Sequence, residues 1–183
     1  MATDEELLAR SGTDASAFEP LVERHSAALH GYFARRAPGA ADDLLAEAWL
    51  RAYAGRGTYD ADRGPVRAWL FGVARNVLAA HWRGREQPAA LPEETSSDPW
   101  HAVDRRLDAA AVAPLMRRTL AELPAVEREL LLLVAWEQLS PTEAAAVVGV
   151  PAGTARSRLH RARTRLRTAL GPSVSLSLTG EPA

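Results

Sequence analysis

The stretch from Ser140 to Leu170 leaves this chain the fewest choices. Ser140-Pro141-Thr142-Glu143 combines a capping hydroxyl, a proline suited to the first helical position, and a glutamate placed to close a capping box. The short helix that this predicts, Pro141–Val148, stops at Gly149, where a left-handed turn costs little. A second helix is expected from near Pro151 towards Leu170. Two helices joined by a tight glycine turn have the spacing of a helix-turn-helix.

The second helix reads by face. Ala155, Leu159, Ala162, Leu166 and Ala169 recur at three and four residues and are expected to point inward. Ser157, Arg161, Thr164 and Thr168 lie opposite, flanked by Arg156, His160 and Arg163. From Ala144 to Gly180 there are six arginines and no acid. Arginines and hydroxyls in that arc suit a major groove, where arginine binds guanine O6 and N7 with two parallel hydrogen bonds. Arg158, Arg165 and Arg167, nearer the seam, suit phosphates. The plain alternative is a solvated arginine face on a bundle helix, and the capped helix and glycine turn upstream weigh against it.

The rest of the chain also reads as helical. Phe18, Leu21, Val22, His25, Leu29, Tyr32 and Phe33 mark one face of a long helix that Pro38-Gly39 ends. Asp42 is placed to cap the next, with Leu44, Leu45, Ala48, Trp49, Ala52 and Tyr53 inward. A third is expected from about Val66 to Arg83, burying Trp69, Leu70, Val73, Val77 and Leu78. Its span from Arg67 to Arg85 holds four arginines and no acid. Two basic stretches in a chain of net charge −1 suggest two contacts with one extended polyanion.

The fold class expected is all-α: two small helical domains joined by an acidic flexible linker, the second containing the helix-turn-helix. The boundaries are 1–85, a linker over 86–113, 114–170, and a fraying tail over 171–183. Three prolines and five acids without a lysine or arginine mark Glu86 to Asp104 as the connector. Helical pattern resumes around Val103 to Leu123, and again over Val126–Leu139, where Leu130–Val134 is expected in the core.

The N-terminal acids Asp4, Glu5 and Glu6 do not suit a secretory leader. The longest apolar run, Leu130 to Trp136, is too short to span a bilayer, so a cytoplasmic location is expected. There is no cysteine, which excludes disulfides and thiolate metal sites. No HExxH, glycine-rich phosphate loop or nucleophile elbow is present. No enzymatic activity, cofactor or metal is expected, and His25, on an apolar face, reads as structural rather than as a ligand.

Leu123-Pro124-Ala125-Val126-Glu127-Arg128-Glu129, then Ser140-Pro141-Thr142-Glu143 and the run from Pro151 to Arg163, closely resemble the C-terminal DNA-binding domain of sigma factors. Asp42 to Tyr53 resembles the segment of that family that grips the clamp helices of polymerase β′. Tyr59-Asp60 and Arg67 to Asn76 resemble the segment that melts and reads the −10 element. The chain is similar to the short, extracytoplasmic-function (ECF) members of the sigma-70 family. That resemblance implies a factor that binds core polymerase, recognises −35 and −10 elements and promotes melting. Its partners would be the β′ clamp helices, the β flap and promoter DNA, with an anti-sigma factor as a further partner and no direct membrane contact.

By matching positions, the −35 contacts would be Thr154, Arg156, Ser157, His160 and Arg161, and the −10 and melting contacts Arg67, Trp69, Arg75, Asn76 and Arg83. Asp43, Leu44 and Glu47 would touch core polymerase. Two positions depart from the family pattern: Ala46 stands where glutamine is common, and Ala80 near a common aspartate. Trp69 and Phe71 are equally readable as plain core, Trp69 above all because it falls in the apolar stripe. The rival reading is a stand-alone helix-turn-helix regulator with an N-terminal sensor or dimerisation domain, for which a basic, aromatic helix has no use.

Overall fold

The computed structural model describes residues 2–86 and 113–170, which are helical with no strand among them. The chain divides into two compact units, Met1–Val103 and Asp104–Ala183. Apart from Glu86 and Ala113, which fall in helices, the acidic connector and the tail expected from the sequence lie outside the described residues.

The first unit is built from α1 (Asp4–Arg10), α2 (Glu19–Arg36), α3 (Ala41–Gly55) and α4 (Val66–Glu86). Helix α1 was not expected, although its signal was present. Thr3 accepts from the Glu6 amide while the Glu6 carboxylate accepts from the Thr3 amide, a complete capping box. Asp4 ties α1 to α2 through Arg24 at 2.7 Å and His25 at 2.6 Å. Burial by itself pushes the Asp4 carboxyl up; the hydrogen bonds from Arg24 and His25 more than reverse this and hold it below its ordinary value. His25 is half-buried in this network. Glu5 reaches further and accepts from the Val66 amide at the start of α4, at 3.3 Å.

The core of this unit joins Leu21, Leu29, Tyr32 and Phe33 of α2, Leu44, Ala48 and Ala52 of α3, and Leu70, Phe71, Ala74 and Val77 of α4. Phe71 meets Tyr32 edge to face, with centroids 5.7 Å apart. Tyr53, expected inward on α3, is instead exposed, its ring meeting Phe18 edge to face at 5.2 Å. Two further expectations are corrected here. Helix α3 starts at Ala41 with no side-chain cap, so Asp42 sits inside its first turn, favoured there by the helix dipole. The inward arc of α4 is centred on Leu70, Phe71, Ala74 and Val77, while Trp69 and Val73 are only half-buried at its edge.

The second unit contains α5 (Ala113–Glu122), α6 (Ala125–Ala135), α7 (Pro141–Val148) and α8 (Ala152–Leu170). Helix α6 ends at Ala135, four residues earlier than the apolar pattern suggests. Gln138 takes a left-handed φ of 54°, and this reversal still returns Leu139 to the core, its amide bonded to the Leu133 carbonyl. Leu130, Leu133, Leu139, Ala144, Ala155, Leu159 and Leu166 make the centre of the unit.

Candidate nucleic-acid interface

Local chemistry sets the α7–α8 corner. Ser140 Oγ accepts from the Glu143 amide at 3.2 Å and Glu143 accepts from the Ser140 amide at 2.7 Å. Such a cap contributes about 0.5–2 kcal/mol. Gly149 stands at φ 77°, ψ 38°, and both its amide and that of Val150 bond to the Ala145 carbonyl. No side chain would adopt this turn as cheaply. Ala144, Ala145 and Val147 pack one face of α7 inward, leaving α8 braced along its seam.

Helix α8 buries Ala155, Leu159, Ala162 and Leu166. Ala169, expected with them, is exposed, bordering a groove that Leu123 and Pro124 also line. Arg156, Ser157, His160 and Arg161 are exposed and Thr154 is half-buried, so all five expected −35 contacts share the side away from the seam. Helical spacing divides them into two flanks. Thr154, Arg161 and Arg165 lie on one, and Arg156, His160, Arg163 and Arg167 on the other.

Two of the hydroxyls are already used within the helix. Ser157 donates to the Thr154 carbonyl and Thr164 to the His160 carbonyl, each at 2.9 Å. The arginines are therefore the stronger source of outward donors. Sequence reading missed Glu127. Its side chain is only 8% exposed, and it faces α8 from the first turn of α6. Arg165 donates to its Oε2 at 3.1 Å, and the Arg161 Nε stands 3.9 Å from its Oε1. Nothing local announces that contact, because the partners are 34 and 38 positions away.

In the first unit, α4 also splits its candidates. Trp69, Asn76 and Arg83 recur every seven residues along one flank, whereas Arg67 and Arg75 lie on the other. Trp69 is half-buried and meets Tyr59 edge to face at 5.9 Å. Tyr59 donates to the Gly64 carbonyl. Burial pushes its phenol up, and the nearby charges of Glu5 and Asp60 add to this, so the hydroxyl stays protonated. Arg67 lies with its guanidinium 5.7 Å from the Phe71 ring centre. Phe71 itself is closed to solvent, so of these two neighbours only Trp69 could offer a face to a base. Asn76 and Arg83 are exposed and Arg75 half-buried.

On α3, Asp43 and Glu47 are exposed, but Leu44 is buried and faces the core. Leu44 can serve an outer surface only by holding its neighbours in place. Leu50 was overlooked: it is 73% exposed and follows Asp43 and Glu47 on the same face at spacings of four and three. Its signal was a leucine out of phase with the buried Leu44, Ala48 and Ala52. Glu47 is held by Arg51 one turn on, at 2.6 Å.

Among the described residues no group of His, Asp or Glu side chains could hold a metal ion, and no helix is long and apolar enough to cross a membrane.

Residues 21–87 match the family described as Sigma-70 region 2, and residues 115–166 match Sigma-70, region 4. The first match takes in most of α2 and all of α3 and α4, and the second takes in most of α5, all of α6 and α7, and most of α8. The ECF RNA polymerase sigma factor SigC of Mycobacterium tuberculosis is 40% identical over 131 residues, covering 70% of this chain and 69% of its own. SigF of Caulobacter vibrioides, also an ECF RNA polymerase sigma factor, is 39% identical over 137 residues, covering 73% and 74%. Among solved structures, CnrH in complex with the cytosolic domain of CnrY matches with a TM-score of 0.61 and 30% identity, over 88% of this chain and 93% of that one. The sigma factor RpoE of Bartonella quintana, solved with the anti-sigma factor NepR, matches with a TM-score of 0.57 and 25% identity, over 86% and 98%. The chain belongs to the sigma-70 family of RNA polymerase sigma factors, in its extracytoplasmic-function group.

Proposed function

We propose that the two units divide promoter recognition between them, as domains 1–85 and 114–170 joined through 86–113. Helix α8 enters the major groove of the −35 element, with Arg156 and Arg161 reading base edges and Thr154, Ser157 and His160 setting register on the backbone. Helix α4 receives the −10 element. Trp69 offers a stacking face beside Asn76 and Arg83, and Arg67 and Arg75 hold phosphates on the opposite flank. Stacking one base contributes about 1–3 kcal/mol, similar to the cost of unpairing one, so captured bases favour melting without chemical fuel. The protein works by binding, with no catalytic step of its own, in the cytoplasm where polymerase acts.

The observation that carries this reading is the acid-free, arginine-rich outer face of α8 on a capped, glycine-turned support. A stand-alone regulator is not favoured, because the region 2 match spans 67 residues of the N-terminal half. Arg161→Ala is expected to weaken holoenzyme binding to the cognate −35 element by about 1–3 kcal/mol. The check is competition binding on duplex promoters; unchanged affinity would remove Arg161 from the reading face.

The face of Asp43, Glu47 and Leu50 is the proposed contact with the β′ clamp helices, and the second unit docks on the β flap. An anti-sigma factor is a further proposed partner, supported by the likeness to RpoE solved with NepR. Replacing Asp43 and Glu47 together by alanine should reduce retention on immobilised core polymerase, with the circular dichroism spectrum unchanged. Both side chains are exposed, so the fold has little to lose. Full retention would refute the contact.

A further inference from the structure

We propose that Glu127 is a positioning residue for promoter reading: from α6 it aims the Arg161 guanidinium of α8 and thereby sharpens discrimination at one base of the −35 element. The inference rests on the assignment of α8 as the reading helix.

Glu127 is a poor candidate for ordinary surface charge. A carboxylate this buried is costly unless paired, and here both of its oxygens face arginines of one helix. The two contacts differ in kind. Arg165 Nη1 at 3.1 Å makes a hydrogen bond and pins α8 to α6. Arg161 Nε at 3.9 Å lies within ion-pair range but beyond hydrogen-bond length. Glu127 therefore orients Arg161 without consuming its donors.

The orientation has a chemical consequence. A guanidinium presents donors along two edges, one including Nε and one formed by Nη1 and Nη2. With Nε turned to Glu127, the Nη1–Nη2 edge remains for a second partner, and that edge matches guanine O6 and N7. Arg161 is 58% exposed, so the outward edge has room for one. Restricting a long side chain before binding lowers the entropy lost when a base is engaged. An unrestrained Arg161 would instead spread its charge among phosphates, which strengthens binding to every sequence alike and so dilutes the preference for the right one.

The test uses holoenzyme assembled from core polymerase and the full-length chain: wild type, Arg161→Ala, Glu127→Gln, or both substitutions together. Each is offered a pool of promoter duplexes randomised across the −35 element, and the retained DNA is sequenced. Arg161→Ala marks the position that Arg161 reads, by loss of preference there. Glu127→Gln is expected to cut preference at that same position roughly threefold to tenfold, leave the other positions unchanged, and add nothing in the Arg161→Ala background. Preference is a ratio within one preparation, so any misfolded fraction cancels. A Glu127→Gln profile that matches wild type at the Arg161-dependent position, or that flattens equally everywhere, overturns the proposal alone. If no position responds to Arg161→Ala, the assignment of the reading face fails and the proposal falls with it.

Discussion

Phe71→Ala is expected to cost the first unit about 3–5 kcal/mol, whereas its neighbour Trp69→Ala should cost far less stability and fail instead at promoter opening. Phe71 is closed to solvent and packs on Tyr32, so alanine leaves a cavity that the surrounding helices cannot fill. Trp69 is only partly buried, with Tyr59 against its edge, so it keeps an exposed portion that Phe71 lacks. Losing one stacked base there removes about 1–3 kcal/mol from the open complex. The Trp69 variant should open duplex promoters poorly and bind pre-melted bubbles almost normally. Calorimetry and open-complex assays separate the two cases. Equal loss of stability in both variants, or equal loss on both templates for Trp69→Ala, would show that Trp69 is core.

In the second unit, Leu133→Ala should lower stability by about 2–5 kcal/mol. Leu133 has no exposed surface, and its carbonyl also receives the Leu139 amide where the chain turns towards α7. Loosening that point frees the support beneath α8, so −35 binding should be lost while retention on core polymerase through α3 persists. If the units fold as separate domains, scanning calorimetry should show Leu133→Ala moving one transition and Phe71→Ala the other. A single transition that both substitutions shift equally would contradict the two-domain organisation.

Some of the architecture was plain from the residues alone. The α7–α8 corner follows from Ser140, Pro141, Glu143 and Gly149, each acting within one helical turn of itself. The seam of α8 follows from its three- and four-residue spacing, down to Leu166. Helix α1 was equally legible, since Thr3 and Glu6 form the same capping box as Ser140 and Glu143. Its isolation from any apolar periodicity hid it. The early end of α6 was not legible, because Leu130 to Leu139 is apolar enough to continue a helix and only the core position of Leu139 dictates the reversal.

The sites divide along the same line. Residue types and spacing placed the arginines on the outer side of α8, because helical geometry needs no partner to set direction, whereas Asp43 and Glu47 were singled out by the family resemblance alone. Three assignments depended on neighbours far along the chain. Whether Trp69 or Phe71 turns inward was decided by Tyr32 and Tyr59. The inward place of Leu44 was readable from spacing, but that Tyr53 at the end of the same stripe stays exposed was decided by which arc of α3 the rest of the unit covers. That Arg161 and Arg165 face an acid was decided by α6 delivering Glu127 from 34 and 38 positions away. Capping, turns and periodicity are governed within about one turn of helix, so sequence determines them. Which flank of a helix meets a partner depends on packing between elements, and only the tertiary structure chose it.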